Sequence, residues 1–322
     1  MQVFLITPRG FCAGVKRAVD IVHGAILKYG NSKEIYVKHE IVHNKYVVEH
    51  FRKQGVKFVQ TIEEVPKGAV IIFSAHGVAE NVEIQAKDKD LHIIDATCPL
   101  VKKVHRMAQK HDNDGKQIIL IGHKNHPEVE GTIGRISNNG LSQVVIIENE
   151  SEVDNLVVKD PTKLAYITQT TLSIDDTAGI IFKLKAKFPD ITFQDESDIC
   201  YATQNRQDAV KNAINTIENL DLLLVIGSLK SSNSNRLKDI GAARGIRSFL
   251  INSVADLTPE LLANSTKIAV TSGASAPEIL VQEVVRYLLT NFNASLTELE
   301  GVEENIEFHV PKDVRISPSN LY

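Results

Sequence analysis

The sequence predicts an α/β protein made of three small domains related by a pseudo-threefold axis. Short runs rich in valine, isoleucine and leucine alternate with helical segments, a pattern typical of parallel sheets covered on both faces. Cys12, Cys98 and Cys200 each follow such a run and precede a helical pattern. The elements around them recur in the same order three times, which indicates an internal repeat.

Composition narrows the class of protein. The chain has 322 residues, of which 43% are hydrophobic, enough for complete cores. A net charge of −4 argues against nucleic-acid binding. No apolar run approaches the roughly 20 residues that span a bilayer, so we expect no membrane segment. The first residues, "MQVFLITPRG", lack a basic region and predict a strand and not a signal peptide, so we expect a cytoplasmic protein.

Each repeat contains a strand, a cysteine helix, a second strand, a polar-capped helix, a third strand and a second polar-capped helix. The predicted modules cover residues 1–97, 98–195 and 196–290, each with one cysteine. Residues 291–322 form a C-terminal tail. Alternation from Ile306 to Ile316 indicates an added edge strand, and a partly disordered terminus is the alternative.

The three cysteines predict a metal site. Ligands of α/β folds bind at the carboxyl ends of strands, and helix N-termini favour thiolates, so the cysteines would converge as soft ligands. Without close CxxC pairs, an iron–sulfur cluster suits them better than structural zinc. Three thiolates would leave one iron of a cubane open to bind a substrate oxygen. Three unrelated buried cysteines are the alternative.

Polar residues recur where other strands give way to helices, a position that favours anions. Imidazole, hydroxyl and amide donors there suit phosphate oxygens, whereas ordinary helix caps or loops are the alternative reading. These residues are His43, His76, His126, Thr170, Thr171, Ser231, Ser232, Asn233 and Ser275.

Glu128 and Glu130 supply the carboxylates of these polar caps. A carboxylate beside an anionic ligand would be repelled unless it were protonated, so Glu128 is predicted to deliver a proton. An ordinary first-turn glutamate, favoured by the helix dipole, is the alternative, and Glu130 fits that description better.

Several ordered motifs resemble one enzyme family. They are "RGFCAGVKRAV", "EIVHN", "FSAHGV", "DATCPLV", "GHKNHPEVEGT", "TQTTLS", "ICYATQNRQ", "GSLKSSNSNRL" and "SGASAP". Over about residues 1 to 290 the chain resembles the 4-hydroxy-3-methylbut-2-enyl diphosphate reductases. This resemblance implies a trefoil around a central iron–sulfur cluster, and reductive removal of an allylic hydroxyl in the last step of the non-mevalonate isoprenoid pathway. Leu229 and Lys230 depart from the family pattern, just outside the implied binding residues.

The resemblance also implies roles for individual residues. The cluster, [4Fe–4S] and isolable as [3Fe–4S], would be held by Cys12, Cys98 and Cys200. The catalytic group would comprise Glu128 as proton donor, Thr170 near the substrate hydroxyl and His126. The substrate-binding group would comprise His43, His76, His126, Thr170, Ser231, Ser232, Asn233 and Ser275. Electrons would come singly from an external donor such as ferredoxin or flavodoxin.

Two other classes remain open from the sequence. An iron–sulfur lyase or condensing enzyme similar to quinolinate synthase would share the open iron without net reduction. A cluster-based redox sensor would share the thiolates without needing an anion pocket. The polar caps disfavour the sensor, and Glu128 with the family motifs disfavours the lyase.

Overall fold

The structure is a computed structural model that describes residues 1–136, 144–192 and 200–315. Within these ranges, the strands are β1 (Gln2–Leu5), β2 (Ile35–Lys38), β3 (Lys57–Val59), β4 (Val70–Phe73), β5 (His92–Asp95), β6 (Gln117–Ile121), β7 (Val144–Ile147), β8 (Leu164–Thr168), β9 (Leu222–Ile226), β10 (Arg247–Ile251), β11 (Lys267–Ser272) and β12 (Ser295–Glu298). The helices are α1 (Ala13–Tyr29), α2 (Lys45–Lys53), α3 (Glu80–Asp88), α4 (Pro99–Asn113), α5 (Pro127–Ile133), α6 (Glu150–Asp154), α7 (Ile174–Lys187), α8 (Tyr201–Thr216), α9 (Ser232–Ala243), α10 (Pro259–Leu262) and α11 (Glu278–Phe292).

The strands form three sheets, and their pairings are parallel. The strand orders are β10-β9-β11-β1-β12, β3-β2-β4-β5 and β7-β6-β8. Every residue of β4, β6, β8 and β9 is buried, as expected of parallel strands covered on both faces. The predicted α/β class with parallel sheets is therefore confirmed.

The chain divides into two compact units. The first comprises Met1–Lys16, Val42–Phe51 and Tyr201–Phe308, and contains the five-stranded sheet. The second comprises Arg17–Ile41, Arg52–Cys200 and His309–Tyr322, and its described residues contain the four- and three-stranded sheets. The three predicted modules and their tail stay a prediction, and the boundary at residue 196 lies outside the described residues.

Strand β1 was expected in the sheet of the first module, but it pairs with β11 and β12 in the five-stranded sheet. The tail does add an edge strand, at Ser295–Glu298. Its predicted position from Ile306 to Ile316 is wrong for the described part, where residues 306–315 contain only the 3₁₀ turn Lys312–Val314; Ile316 lies outside the described residues. The backbone of this stretch serves other contacts, since the carbonyl of His309 accepts a hydrogen bond from Arg17.

One apolar core supports the helices that carry several predicted site residues. Leu120 of β6 is 1% exposed and belongs to a cluster with Val104 and Ala108 of α4, Val129 of α5 and Ile167 of β8. Cys98 caps α4 and His126 caps α5, so this packing fixes the starts of both helices. No described helix is long and apolar enough to cross a membrane.

Leu120→Ala is expected to lower the free energy of unfolding by about 2–5 kcal/mol, because it leaves a cavity in this core. Leu27→Ala is the control: Leu27 is 61% exposed, so its removal should change stability by less than about 0.5 kcal/mol. Chemical denaturation of both variants measures the difference. Equal losses would contradict the packing described.

Candidate active site

Each cysteine stands at the start of a helix. Cys12 directly precedes α1, Cys98 is the N-cap of α4, and Cys200 directly precedes α8. All three are free thiols of intermediate exposure. Cys12 belongs to the first unit, and Cys98 and Cys200 belong to the second. All three cysteines thus lie at helix starts, and residues 193–199, where the strand predicted before Cys200 would lie, are outside the described residues.

Around Cys12, burial outweighs the groups that favour a thiolate, so the pKa of the free thiol is raised. Burial raises the pKa of the Cys12 thiol, whereas the Arg206 guanidinium and the backbone N–H groups of Val15 and Gly14 act in the opposite direction. The N–H of Cys12 donates to the carbonyl of Ala274 at 3.2 Å, which fixes the backbone there. A bound metal would replace the thiol proton and offset the effect of burial on the thiolate.

The donor set fits an iron–sulfur cluster better than a single ion. Soft thiolates at helix starts suit iron–sulfur chemistry. In a cubane, each protein-bound iron takes one cysteine thiolate. Across the described ranges, no group of three or more His, Cys, Asp or Glu side chains is placed to hold one metal ion. The three-cysteine cluster therefore stays a prediction.

The start of α9 presents polar groups of the kind that bind phosphate. Ser231 is the N-cap, and its Oγ accepts hydrogen bonds from the N–H of Ser234 at 3.3 Å and from Ser234 Oγ at 3.0 Å. The Ser231 hydroxyl proton can therefore donate elsewhere. Asn233 is 5% exposed, and neither its Oδ1 nor its Nδ2 has a hydrogen-bond partner within the described part of the chain.

An unpartnered buried amide is unfavourable by roughly 1–3 kcal/mol. Ligand oxygens at the amino end of a helix would compensate Asn233, since the backbone N–H groups there also favour an anion. Ser275, in the same unit, is buried and donates to the carbonyl of His43 at 3.2 Å. The structure thus brings together His43 with Ser275, and Ser231 with Ser232 and Asn233.

Glu128 and Thr170 form the best-defined contact among the predicted residues. The N–H of Thr170 donates to Glu128 Oε1 at 2.7 Å, and Thr170 Oγ1 donates to Oε2 at 2.8 Å. Glu128 is 2% exposed. Burial raises its pKa to about 7, although both hydrogen bonds from Thr170 act in the opposite direction. The carboxyl is therefore poised to hold a proton near neutral pH.

Two imidazoles belong to the same unit as this pair. Nδ1 of His126 accepts a hydrogen bond from the N–H of Glu128 at 3.2 Å, so a neutral His126 carries its proton on Nε2 and can donate from that side. The His76 ring meets the His126 ring edge to face, with centroids 5.8 Å apart. The predicted residues His76, His126, Glu128 and Thr170 are therefore close neighbours through these contacts.

Thr171 contacts a neighbouring side chain, and Glu130 faces solvent. Thr171 Oγ1 accepts from the side chain of Gln169 at 2.7 Å, which indicates a structural part in the turn after β8. Glu130 is exposed on α5, as its reading as a first-turn glutamate predicted.

His105 is a residue that the sequence reasoning missed. It is buried on α4, and burial lowers its pKa to about 4, which keeps the imidazole neutral. A Cβ on Gly77 would lie 2.6 Å from His105 Cε1, and Gly77 has φ +79°, so the turn after His76 requires glycine. A histidine on the buried face of an amphipathic helix was the available signal.

Comparison with known proteins supports a single family. Residues 3–289 match the family model described as LytB protein. The 4-hydroxy-3-methylbut-2-enyl diphosphate reductase of Wolbachia pipientis wMel is 52% identical, over 97% of this chain and 99% of the relative. That of Saccharophagus degradans is 50% identical, over 98% of this chain and the whole relative.

Two solved structures also match. The E-1-hydroxy-2-methyl-but-2-enyl-4-diphosphate reductase of Plasmodium falciparum has a TM-score of 0.90 and 42% identity, covering 97% of this chain and 96% of its own. A second structure, described as the terminal enzyme of the non-mevalonate pathway, has a TM-score of 0.61 and 28% identity, covering 89% of this chain and 99% of its own. The resemblance drawn from the sequence motifs is confirmed, and the chain belongs to the LytB protein family.

Proposed function

We propose that this chain reduces 4-hydroxy-3-methylbut-2-enyl diphosphate to isopentenyl diphosphate and dimethylallyl diphosphate. Two electrons and two protons are consumed: the allylic C–O bond breaks, the hydroxyl leaves as water, and a C–H bond forms on the allyl group. Relatives about 50% identical over nearly the whole chain carry the corresponding reductase name, which supports this reaction over a lyase or a redox sensor.

The proposal includes a cofactor and an electron donor. A [4Fe–4S] cluster, isolable as [3Fe–4S], would be held by Cys12, Cys98 and Cys200. The free thiols of these cysteines, at the starts of helices, support this assignment. When bound, such a cluster supplies one-electron transfer and a Lewis-acidic iron. The electrons would come from ferredoxin or flavodoxin, in the cytoplasm.

Imidazole, hydroxyl and amide donors would bind the diphosphate. The proposed residues are His43, His76, His126, Ser231, Ser232, Asn233 and Ser275. The Ser231 hydroxyl proton and the buried Asn233 amide have hydrogen-bonding capacity that phosphate oxygens would use. Nε2 of neutral His126 is a further donor.

The observation that carries the proposal is the buried Glu128 carboxyl beside Thr170. A backbone N–H can only donate, so Oε1 stays an acceptor, and a proton on Glu128 belongs on Oε2, facing Thr170 Oγ1. Protonated Glu128 then donates to Thr170, whose hydroxyl proton is passed on to the leaving oxygen of the substrate. A neutral carboxyl also does not repel an anionic substrate.

Glu128→Gln is expected to lower anaerobic turnover by about 10²- to 10⁴-fold, since glutamine keeps the hydrogen bonds but delivers no proton. Turnover is measured as oxidation of reduced methyl viologen on addition of the allylic diphosphate, and substrate affinity by calorimetry. Affinity should stay near that of the wild type.

Glu130→Gln is the matched control on the same helix, because Glu130 is exposed, and its turnover should stay within a few-fold of wild type. Near-wild-type turnover of Glu128→Gln would remove Glu128 from the mechanism. A wild-type protein that holds a cluster but consumes no electrons with this substrate would refute the function.

The activity should also depend on pH through Glu128. With a pKa of about 7, the carboxyl holds its proton below that pH and loses it above, so kcat should fall as pH rises through about 7. Because the pKa of Glu128 in the folded chain lies above the ordinary 4.5, its protonated form adds to the free energy of unfolding. This contribution is complete below pH 4.5 and is lost as pH rises to about 7. Rate and denaturation profiles against pH measure both effects, and Glu128→Gln should lack both. A wild-type rate profile that is flat between pH 6 and 8 would contradict this assignment.

Asn233→Ala should weaken binding of inorganic diphosphate by about 10- to 150-fold, because one hydrogen bond to a charged group is lost. The ligand-free stability should not fall, since the amide has no partner within the described residues. Asn235→Ala is the contrast: its amide donates to the carbonyls of Leu229 and Ser231, so its loss should lower stability. Calorimetry and denaturation separate the two. Unchanged diphosphate affinity in Asn233→Ala would show that the amide binds no phosphate.

A further inference from the structure

Two buried arginines lie outside the proposed catalytic and substrate-binding residues. Arg206 on α8 is 1% exposed and Arg17 on α1 is 8% exposed. Burying a guanidinium is unfavourable unless hydrogen bonds and charges compensate it. The partners of each arginine therefore indicate what it does.

Arg206 binds the backbone of the Cys12 loop and the backbone of its own helix α8. Its Nη2 donates to the carbonyl of Gly10 at 3.0 Å, two residues before Cys12. Its Nη1 donates to the carbonyl of Ala202 and, at 2.9 Å, to the carboxylate of Glu304. Arg206 therefore holds the loop that carries Cys12, and Glu304 offsets its charge.

Arg17 binds a second cysteine loop in a similar way. Its Nη1 donates to the carbonyl of Thr97 at 3.1 Å, directly before Cys98, and its Nη2 donates to the carbonyl of Asp95 at 3.4 Å. Its Nε donates to the carbonyl of His309 at 3.0 Å. Desolvation lowers the pKa of Arg17, and negative charge on Asp95 and Cys98 opposes that change.

Both arginines find a partner in the C-terminal segment Glu304–Val314. Glu304 pairs with Arg206, and five residues later His309 accepts from Arg17. The segment is anchored further along: Val314 is 2% exposed, and a Cβ on Gly24 of α1 would lie 1.9 Å from the Val314 carbonyl oxygen. The C-terminal segment Glu304–Val314 therefore contacts both arginines.

We propose that Arg17 and Arg206 are positioning residues that hold the Cys98 and Cys12 loops and supply positive charge beside the cluster. Glu304 and His309 fix the two arginines. This inference rests on the cluster of the proposed function, and it assigns the C-terminal segment to control of the cluster's reduction potential.

The sign of the effect follows from charge. Accepting an electron makes a cluster more negative, so nearby positive charge favours the reduced state and raises the midpoint potential. Removing the charge of Arg17 should lower that potential. Removing the charge of Glu304 leaves Arg206 uncompensated and should raise it.

The test measures the midpoint potential of the anaerobic, cluster-loaded full chain by redox titration followed by electron paramagnetic resonance. Arg17→Gln is expected to shift the potential downward and Glu304→Gln upward. Glutamine at position 304 keeps an oxygen that accepts from Arg206. Glu303→Gln is the matched control, because Glu303 is the neighbouring residue and carries the same charge on an exposed side chain. This variant should shift the potential least. Arg17→Lys keeps the charge and should fall between wild type and Arg17→Gln.

The outcomes separate this inference from the proposed function. Unshifted potentials, or shifts of the same sign in Arg17→Gln and Glu304→Gln, with an intact cluster, would overturn the inference alone. If Arg17→Gln fails to fold or to keep iron, the comparison of Glu304→Gln with Glu303→Gln decides. A wild-type protein that binds no cluster would overturn the proposed function as well.

Discussion

Desolvation of polar groups is the constraint on which the candidate site depends. Glu128, Asn233, Arg17 and Arg206 are all withdrawn from water, and each withdrawal has a different consequence. Burial raises the pKa of the Glu128 carboxyl to about 7, and the Asn233 amide keeps unused hydrogen-bonding capacity. The two guanidinium groups bind backbone carbonyls. A solvated version of the same residues would have an ionised glutamate and an already hydrated amide, neither suited to the proposed chemistry.

Parallel topology determines where these groups meet. Strands β6 and β8 are hydrogen-bonded neighbours, so the segments that leave their carboxyl ends run side by side. Glu128 lies on the helix that follows β6, and Thr170 lies two residues after the end of β8, which explains the double hydrogen bond between them. Strand-to-helix transitions of the same kind place His126 at the N-cap of α5 and Ser231 at the N-cap of α9.

The placement of the cysteines at helix starts could be predicted from the sequence, because apolar runs and helical spacing are local signals. Strand order is not local: nothing in "QVFL" indicates that β1 pairs with β11. Alternation favoured a strand from Ile306, yet Ile306 is 45% exposed and the next residues bind α1 instead. The burial of Arg17 and Arg206 could not be predicted from the sequence, because arginines on helices usually face solvent. Their burial depends on tertiary contacts.

The proposed division of charge has a kinetic rationale. Substrate and products are both diphosphates, so a cluster of lysines or arginines on the diphosphate would bind all of them more tightly without favouring the transition state. Histidine, serine and asparagine donors bind more weakly and allow product to leave. The buried arginines instead hold cysteine loops, where positive charge favours an added electron. In this proposal, charged groups would act where the cluster accepts an electron, and imidazole, hydroxyl and amide donors would act where the diphosphate binds.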